Sequence, residues 1–467
     1  MRTPTAAIFC ALILGLSWAV RGHFGHEWGA AWAGAAGAMA VLVATGRADW
    51  FRRLPALAAL GAVGWGAGGM MSYGIVVGYC RADTFLNSLY GYAMLAVIGG
   101  LYGFLGGGLL GLGLESSDAR KPNWFVLLSG MVSAGCLFWG IVIYQLEWLM
   151  TPPRSEAWAL CAGAAIALAW YAYQENFHRA LRVAAYAALG GGFGFAIGNF
   201  FQTAGTISGV SYNWWNVMEF TLGFFGGLGM AYAVSTTEWP EAAKPSRAAN
   251  WIGLLFLTLL LPWSNYVNAF EGKKLMALAK GLGVEDVARF VSHQQTLGLT
   301  LVALVAIGAC FNWKWHQHRD DRSFRRLGSF VLFAYTLYYV VFGFIVKGFF
   351  YRSLSLGSSD TLYLPILMAA ATLWLFSGRG QVEAVATKDA PALGSGFIVL
   401  ALMALAAIVM AAAMTVAIHD GKIRFHERFA EMSFLTVSGS PTECRGLGFT
   451  CRGLGFTVPW PFHGVSP

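Results

Sequence analysis

Charge is what this sequence has least of. Asp, Glu, Lys and Arg make up 12% of the 467 residues, against roughly 25% in soluble domains. So few charges cannot dress the water-facing surface of a soluble fold of this length. Hydrophobic residues reach 57%, and mean hydropathy is +0.57.

A cysteine framework is also missing. Of seven cysteines, Cys10, Cys136, Cys161 and Cys310 lie inside apolar runs, where a thiol behaves as a small hydrophobe. Cys80 ends a run, and Cys444 and Cys451 belong to a tandem CRGLGFT copy to which no role is assigned. No pair has C-x-x-C spacing. No established catalytic or cofactor pattern occurs, and neither a cofactor nor a resident metal is expected. The net charge of +8 is spread among loops, which suits contact with anionic membrane lipids and not nucleic acid.

What the chain has instead is glycine, 59 residues of it, and apolar runs near 20 residues long. Runs of that length match the thickness of a bilayer, and small residues let helices approach closely in lipid. They begin near residues 4, 29, 55, 88, 125, 156, 183, 216, 251, 296, 327 and 361, with a last one over about 395–418. The expected fold is an all-α polytopic membrane protein of about 13 transmembrane helices. The first run follows Arg2 but has no clean small-x-small cleavage site, and it is kept as a span.

Four helices form a unit that recurs. At an offset of 126, residues 31–68 against 157–194 match Trp32 with Trp158, Phe51 with Phe177 and Arg53 with Arg179. The same offset sets Gly64, Gly66 and Gly68 against Gly190, Gly192 and Gly194. A fainter third copy shows as Phe324–Leu327 against Phe51–Leu54. The expected organisation is therefore parallel four-helix repeats over 1–123, 124–249 and 250–394, the third with an insertion at 271–295, then a last helix and tail over 395–467. Within the insertion, 273–280 reads as an amphipathic helix stopped by Gly281 and Gly283, and 284–291 as a second short one.

With the N-terminus inside, 17 of the 31 basic residues fall in the cytoplasmic segments, while the short outer loops hold five. Charge in short loops sets orientation, so the expected placement is the inner membrane with a cytoplasmic N-terminus.

Polar residues gather at the outer helix ends, and helix centres are nearly free of acids and bases. Intramembrane ionisable groups usually mark transport paths, so their scarcity argues for a site at the surface. Glu27 and Glu147 each precede a Trp at the outer end of a first helix, and Glu219 follows Trp214, Trp215 and Asn216. If the repeats pack side by side, the three carboxylates converge on one outward cavity. Tyr73, Asn199 and Gln202 would add polar groups from the glycine-rich third helices, and Trp28, Trp215 and Asn216 would line the rim. Aromatic faces with carboxylates and amides suit a sugar, by stacking on C–H faces and bonding hydroxyls. Two carboxyls flanking a glycosidic oxygen supply an acid and a base or nucleophile. Arg21 would hold an anionic group, and His23 and His26 would share in proton transfer. The sequence thus points to a membrane-integral enzyme acting on a sugar or glycosidic bond, with Glu27, Glu219 and Glu147 as acid/base residues. The alternative is a secondary transporter of a polar small solute such as a sugar.

Overall fold

The computed structural model describes residues 3–316, 321–351, 359–377, 393–419, 421 and 423–429. The tandem CRGLGFT copy, Arg2 and most of the tail lie outside them.

Among these residues every regular element is helical. The first set comprises α1 (Thr3–Arg21), α2 (Glu27–Thr45), the short α3 (Ala48–Phe51), α4 (Leu54–Gly68), α5 (Gly74–Cys80) and α6 (Phe85–Glu115). Next come α7 (Trp124–Trp139), which runs on into a π turn over Gly140–Gln145, then α8 (Ala157–Gln174), α9 (His178–Ile207) and α10 (Trp214–Ser235). The third set is α11 (Arg247–Leu255), continued through a π turn into α12 (Leu261–Ala269), then α13 (Gly272–Gly281), α14 (Val287–His316), α15 (Asp321–Val346), α16 (Tyr363–Phe376) and α17 (Ser395–Ile418). Ten helical stretches among the described residues are long and apolar enough to cross a membrane, and Leu54–Gly68 and Tyr363–Phe376 are shorter apolar helices.

Local chemistry sets several of these boundaries. Asn123, Asn213 and Ser246 accept backbone N–H groups of the first turns of α7, α10 and α11, satisfying donors a helix start leaves free. Gly46 ends α2 in the left-handed region at φ 67° and returns its N–H to the Leu42 carbonyl. The insertion differs from its sequence reading. The first amphipathic helix is α13, but the second segment is the opening turn of α14, because nothing interrupts the helix between Val287 and the apolar stretch.

The centre of the molecule is the close packing of α6, α9, α10 and α1. A Cβ on Gly103 would collide with the Ala187 carbonyl, and one on Gly99 with the Gly191 carbonyl, so α6 and α9 touch backbone to backbone. Gly190 stands equally close to the Phe225 carbonyl of α10, and a Cβ on Gly223 would sit 2.6 Å from the Leu14 carbonyl of α1. Backbone contacts this close supply dispersion along each helix pair. The matched glycines Gly64 and Gly190 each abut the backbone of another helix, Gly64 at Leu105 of α6 and Gly190 at Phe225 of α10. Residues up to Arg428 pack as one compact unit. Within it α1 packs chiefly on α10.

The connections fall at two ends. At one, Glu115 is fully buried and takes Arg120 at 2.9 Å, Arg179 at 3.3 Å and the Ala180 N–H at 2.9 Å. Arg47 pairs with Asp49 and donates to the Trp239 and Pro240 carbonyls, and Lys244 N–H donates to Asp118. The other end carries Arg21, Tyr73 and Glu219.

Candidate functional site

Arg21 closes α1 and Glu219 lies one turn into α10, so the α1–α10 contact brings their side chains together. Arg21 Nε donates to Glu219 Oε2 at 3.0 Å and Nη2 to Oε1 at 3.0 Å. The two residues are 1% and 2% exposed. Tyr73, in the turn after α4, donates to Glu219 Oε1 at 2.6 Å and accepts from Arg21 Nη2 at 2.8 Å. Trp215 Nε1 adds a bond to Oε1 at 3.2 Å. The carboxylate therefore sits among four donors, and the pair has the planar fork geometry that Arg, but not Lys, provides.

An aromatic floor lies beneath. The Arg21 guanidinium carbon is 4.8 Å from the Trp18 ring centroid, and Trp18 meets Trp65 and Tyr102 edge-on, each at 5.0 Å. All three rings are fully buried, and Trp18 Nε1, Trp65 Nε1 and Tyr102 Oη have no hydrogen-bond partner. Sequence reading passed over Trp18, although its i,i+3 spacing from Arg21 on one helix put both on one face.

Around this centre the other expected residues divide. The His26 ring lies 5.5 Å from that of Tyr73, and the His26 carbonyl is 3.5 Å from Arg21 Nη1. His26 keeps an exposed edge, yet partial burial, then the Arg21 charge, holds its imidazole below the ordinary pKa. Glu27 follows it as the exposed first residue of α2, and Trp28 is also exposed. Asn216 donates to Tyr363 of α16, whose hydroxyl lies 3.4 Å from His23 Nε2. Asn199 and Gln202 are buried on α9, with Asn199 Nδ2 donating to Gln202 Oε1 at 2.7 Å. Glu147 is exposed in the connection between α7 and α8, at φ 53°. Arg21, Tyr73 and Trp215 bond Glu219 and not Glu147. Glu156 secures that connection instead, taking the Met150 and Thr151 N–H groups and Trp158 Nε1.

Two cavities of about 360 Å³ each open at this end. One lies over the α9–α10 turn, by Gln202, Tyr212, Trp214 and Trp215. The other lies by His23, Asn268 and Lys274, beside α13. Among the described residues no group of three or more His, Cys, Asp or Glu side chains is arranged to hold a metal ion.

The geometry defines a class no finer than a helical bundle with a buried Arg–Glu–Tyr centre at one end. No family model, curated protein or solved structure matches the chain.

Proposed function

We propose that the chain is a multi-pass protein of the inner membrane, with about 13 spans and a cytoplasmic N-terminus. The Glu115 end gathers Arg47, Arg52, Arg53, Arg120, Lys121, Arg179 and Lys244, which by the bias of basic residues toward the cytoplasm makes it the inner end. The Arg21 end then faces outward, and there the protein acts as an enzyme on a sugar or glycosidic bond.

The observation that carries this reading is the arrangement of polar groups over a closed floor. Arg21, Tyr73, Glu219 and Trp215 stand above Trp18, Trp65 and Tyr102, and the glycine-tight helices below leave little room for a solute. Glu219, ringed by donors, suits the role of the charged carboxylate, a base or nucleophile. The proton donor then falls to Glu27, which follows His26, the residue whose ring lies beside that of Tyr73. Glu147 takes no part in this version of the site.

The transporter reading draws on a different observation. The Arg21–Glu219 pair bridges α1 and α10, and three unpartnered polar atoms lie directly beneath it. A gate built on that pair would open onto those groups.

The test is product formation from a panel of glycosides by the purified protein in lipid nanodiscs, followed by mass spectrometry. The enzyme reading predicts a released sugar whose appearance is abolished in Glu27→Gln. Turnover unchanged in that variant would contradict the assignment of the donor, and no turnover of any glycoside would contradict the enzyme.

A further inference from the structure

The two open cavities at the Arg21 end offer different chemistry. The one beside α13 presents His23 and Lys274. The one over the α9–α10 turn is lined by no charged residue at all; it has Tyr212, Trp214 and Trp215 as walls and Gln202, Thr206 and Asn213 as polar groups. Aromatic faces with neutral amides and hydroxyls match a ligand that carries many hydroxyls and no charge.

We infer that the cavity over the α9–α10 turn is the subsite for an uncharged sugar ring, with a Trp face as its platform and the Gln202 and Asn213 amides reading its hydroxyls. This rests on the sugar reading of the outer end given above and adds where the ring sits. The polar groups are held in advance. Gln202 is 2% exposed and its Oε1 is fixed by Asn199, while Asn213 Oδ1 caps α10. Trp214 is fixed too, its Nε1 donating to the Val210 carbonyl at 3.0 Å and its ring packed on Gly205. Groups held in place lose little freedom when a ligand arrives. One turn deeper on α9, the buried Asn199 Oδ1 has no hydrogen-bond partner, an acceptor left over next to Gln202.

Trp215 gives the cavity its connection to the buried centre. Its ring lines the cavity, stacks on Tyr73 at 6.1 Å and bonds Glu219 through Nε1. A ring seated here is separated from the Glu219 carboxylate by one indole.

The experiment is ligand-observed saturation-transfer NMR on the full chain in nanodiscs free of sugar-based detergent. The probes are the methyl glycosides of glucose, galactose, mannose and N-acetylglucosamine. At least one should show saturation on its ring C–H protons. Trp214→Ala and Gln202→Ala should each weaken its binding about tenfold, the scale of a lost stacking face or buried bond. Trp214→Phe keeps a flat face and should stay within about threefold of the parent, which separates loss of the platform from loss of the fold. Lys274→Ala, in the other cavity, should change nothing. Binding that survives Trp214→Ala and Gln202→Ala, or that is lost in Lys274→Ala, would overturn the inference. So would a failure of every glycoside to bind, even where turnover of another compound showed the enzyme reading to be sound. Glycoside binding with the expected losses but no turnover would uphold the subsite and count against the enzyme alone.

Discussion

Arg21 and Glu219, separated by 198 positions in the chain, meet as a forked ion pair that is almost completely buried. The pair joins the end of α1 to the first turns of α10. Taking two charges out of water is costly, and the cost is offset only where every donor and acceptor is met. Tyr73 and Trp215 complete that set around the carboxylate.

Removing one member leaves the other charged and unpaired. Arg21→Ala or Glu219→Ala should each lower stability by about 3–5 kcal/mol. Arg21→Met combined with Glu219→Leu and Tyr73→Phe should recover most of the loss, since an apolar set of similar volume carries no desolvation cost and strands no Tyr73 hydroxyl. Thermal unfolding of these variants in detergent checks this. A combined variant no better than the singles would contradict the account of the pair as a self-satisfying set. For the same reason Glu219→Gln cannot isolate chemistry from folding, and Glu27, exposed at the start of α2, is the cleaner catalytic probe.

Tyr73→Phe removes a hydroxyl that bonds both partners of the pair. The expected cost is about 1–3 kcal/mol, as for a hydrogen bond to charged groups in a buried site. Equal unfolding midpoints for parent and variant would contradict the role given to this hydroxyl.

The glycine contacts separate by position. Gly103→Ala drives a methyl into the Ala187 carbonyl and should cost about 1–3 kcal/mol by forcing α6 from α9. Gly130→Ala, on α7 with open space around it, should be neutral or stabilising by up to about 1 kcal/mol. The same unfolding assay reads both, and reversed signs would mean that α6 and α9 do not pack this closely.

Acid should weaken the fold through His26. Its pKa is lowered in the folded state by burial and by Arg21, so the unfolded chain binds more protons as pH falls past the ordinary imidazole value near 6.5. Stability is then intact above that value and declines below it. Unfolding midpoints measured from pH 7.5 to 5 should fall less steeply in His26→Gln than in the parent. Parallel profiles would remove His26 from the explanation.

Orientation is open to a labelling test. A membrane-impermeant maleimide should reach Val210→Cys in intact cells, and Ala119→Cys only after permeabilisation, each scored against the parent chain. The opposite pattern would invert the placement of both ends.

Much of the fold was legible because apolar length is local: the runs that begin near residues 4, 29 and 216 are α1, α2 and α10. The site was legible in part. Arg21, Tyr73 and Glu219 stood out as polar residues at helix ends, yet nothing in their spacing tells that α1 rests on α10 and draws them together. Glu147 looked equivalent to Glu27 from its following Trp, but its turn holds it apart and exposed. Glu115 escaped notice because a carboxylate at a helix end reads as solvated, and only packing against α9 shows it buried between two arginines and a backbone N–H. The 284–291 segment misled because amphipathic spacing does not tell a separate helix from the first turns of a longer one.

The central claim is chemistry at an outward-facing site, and it is tested most directly by giving one glycoside to the protein in two settings. In nanodiscs, which enclose no compartment, the enzyme reading predicts released sugar; in sealed proteoliposomes it predicts the same product without accumulation of intact glycoside inside. Accumulation of the intact compound in vesicles, with no product in nanodiscs, would contradict it and establish a transporter.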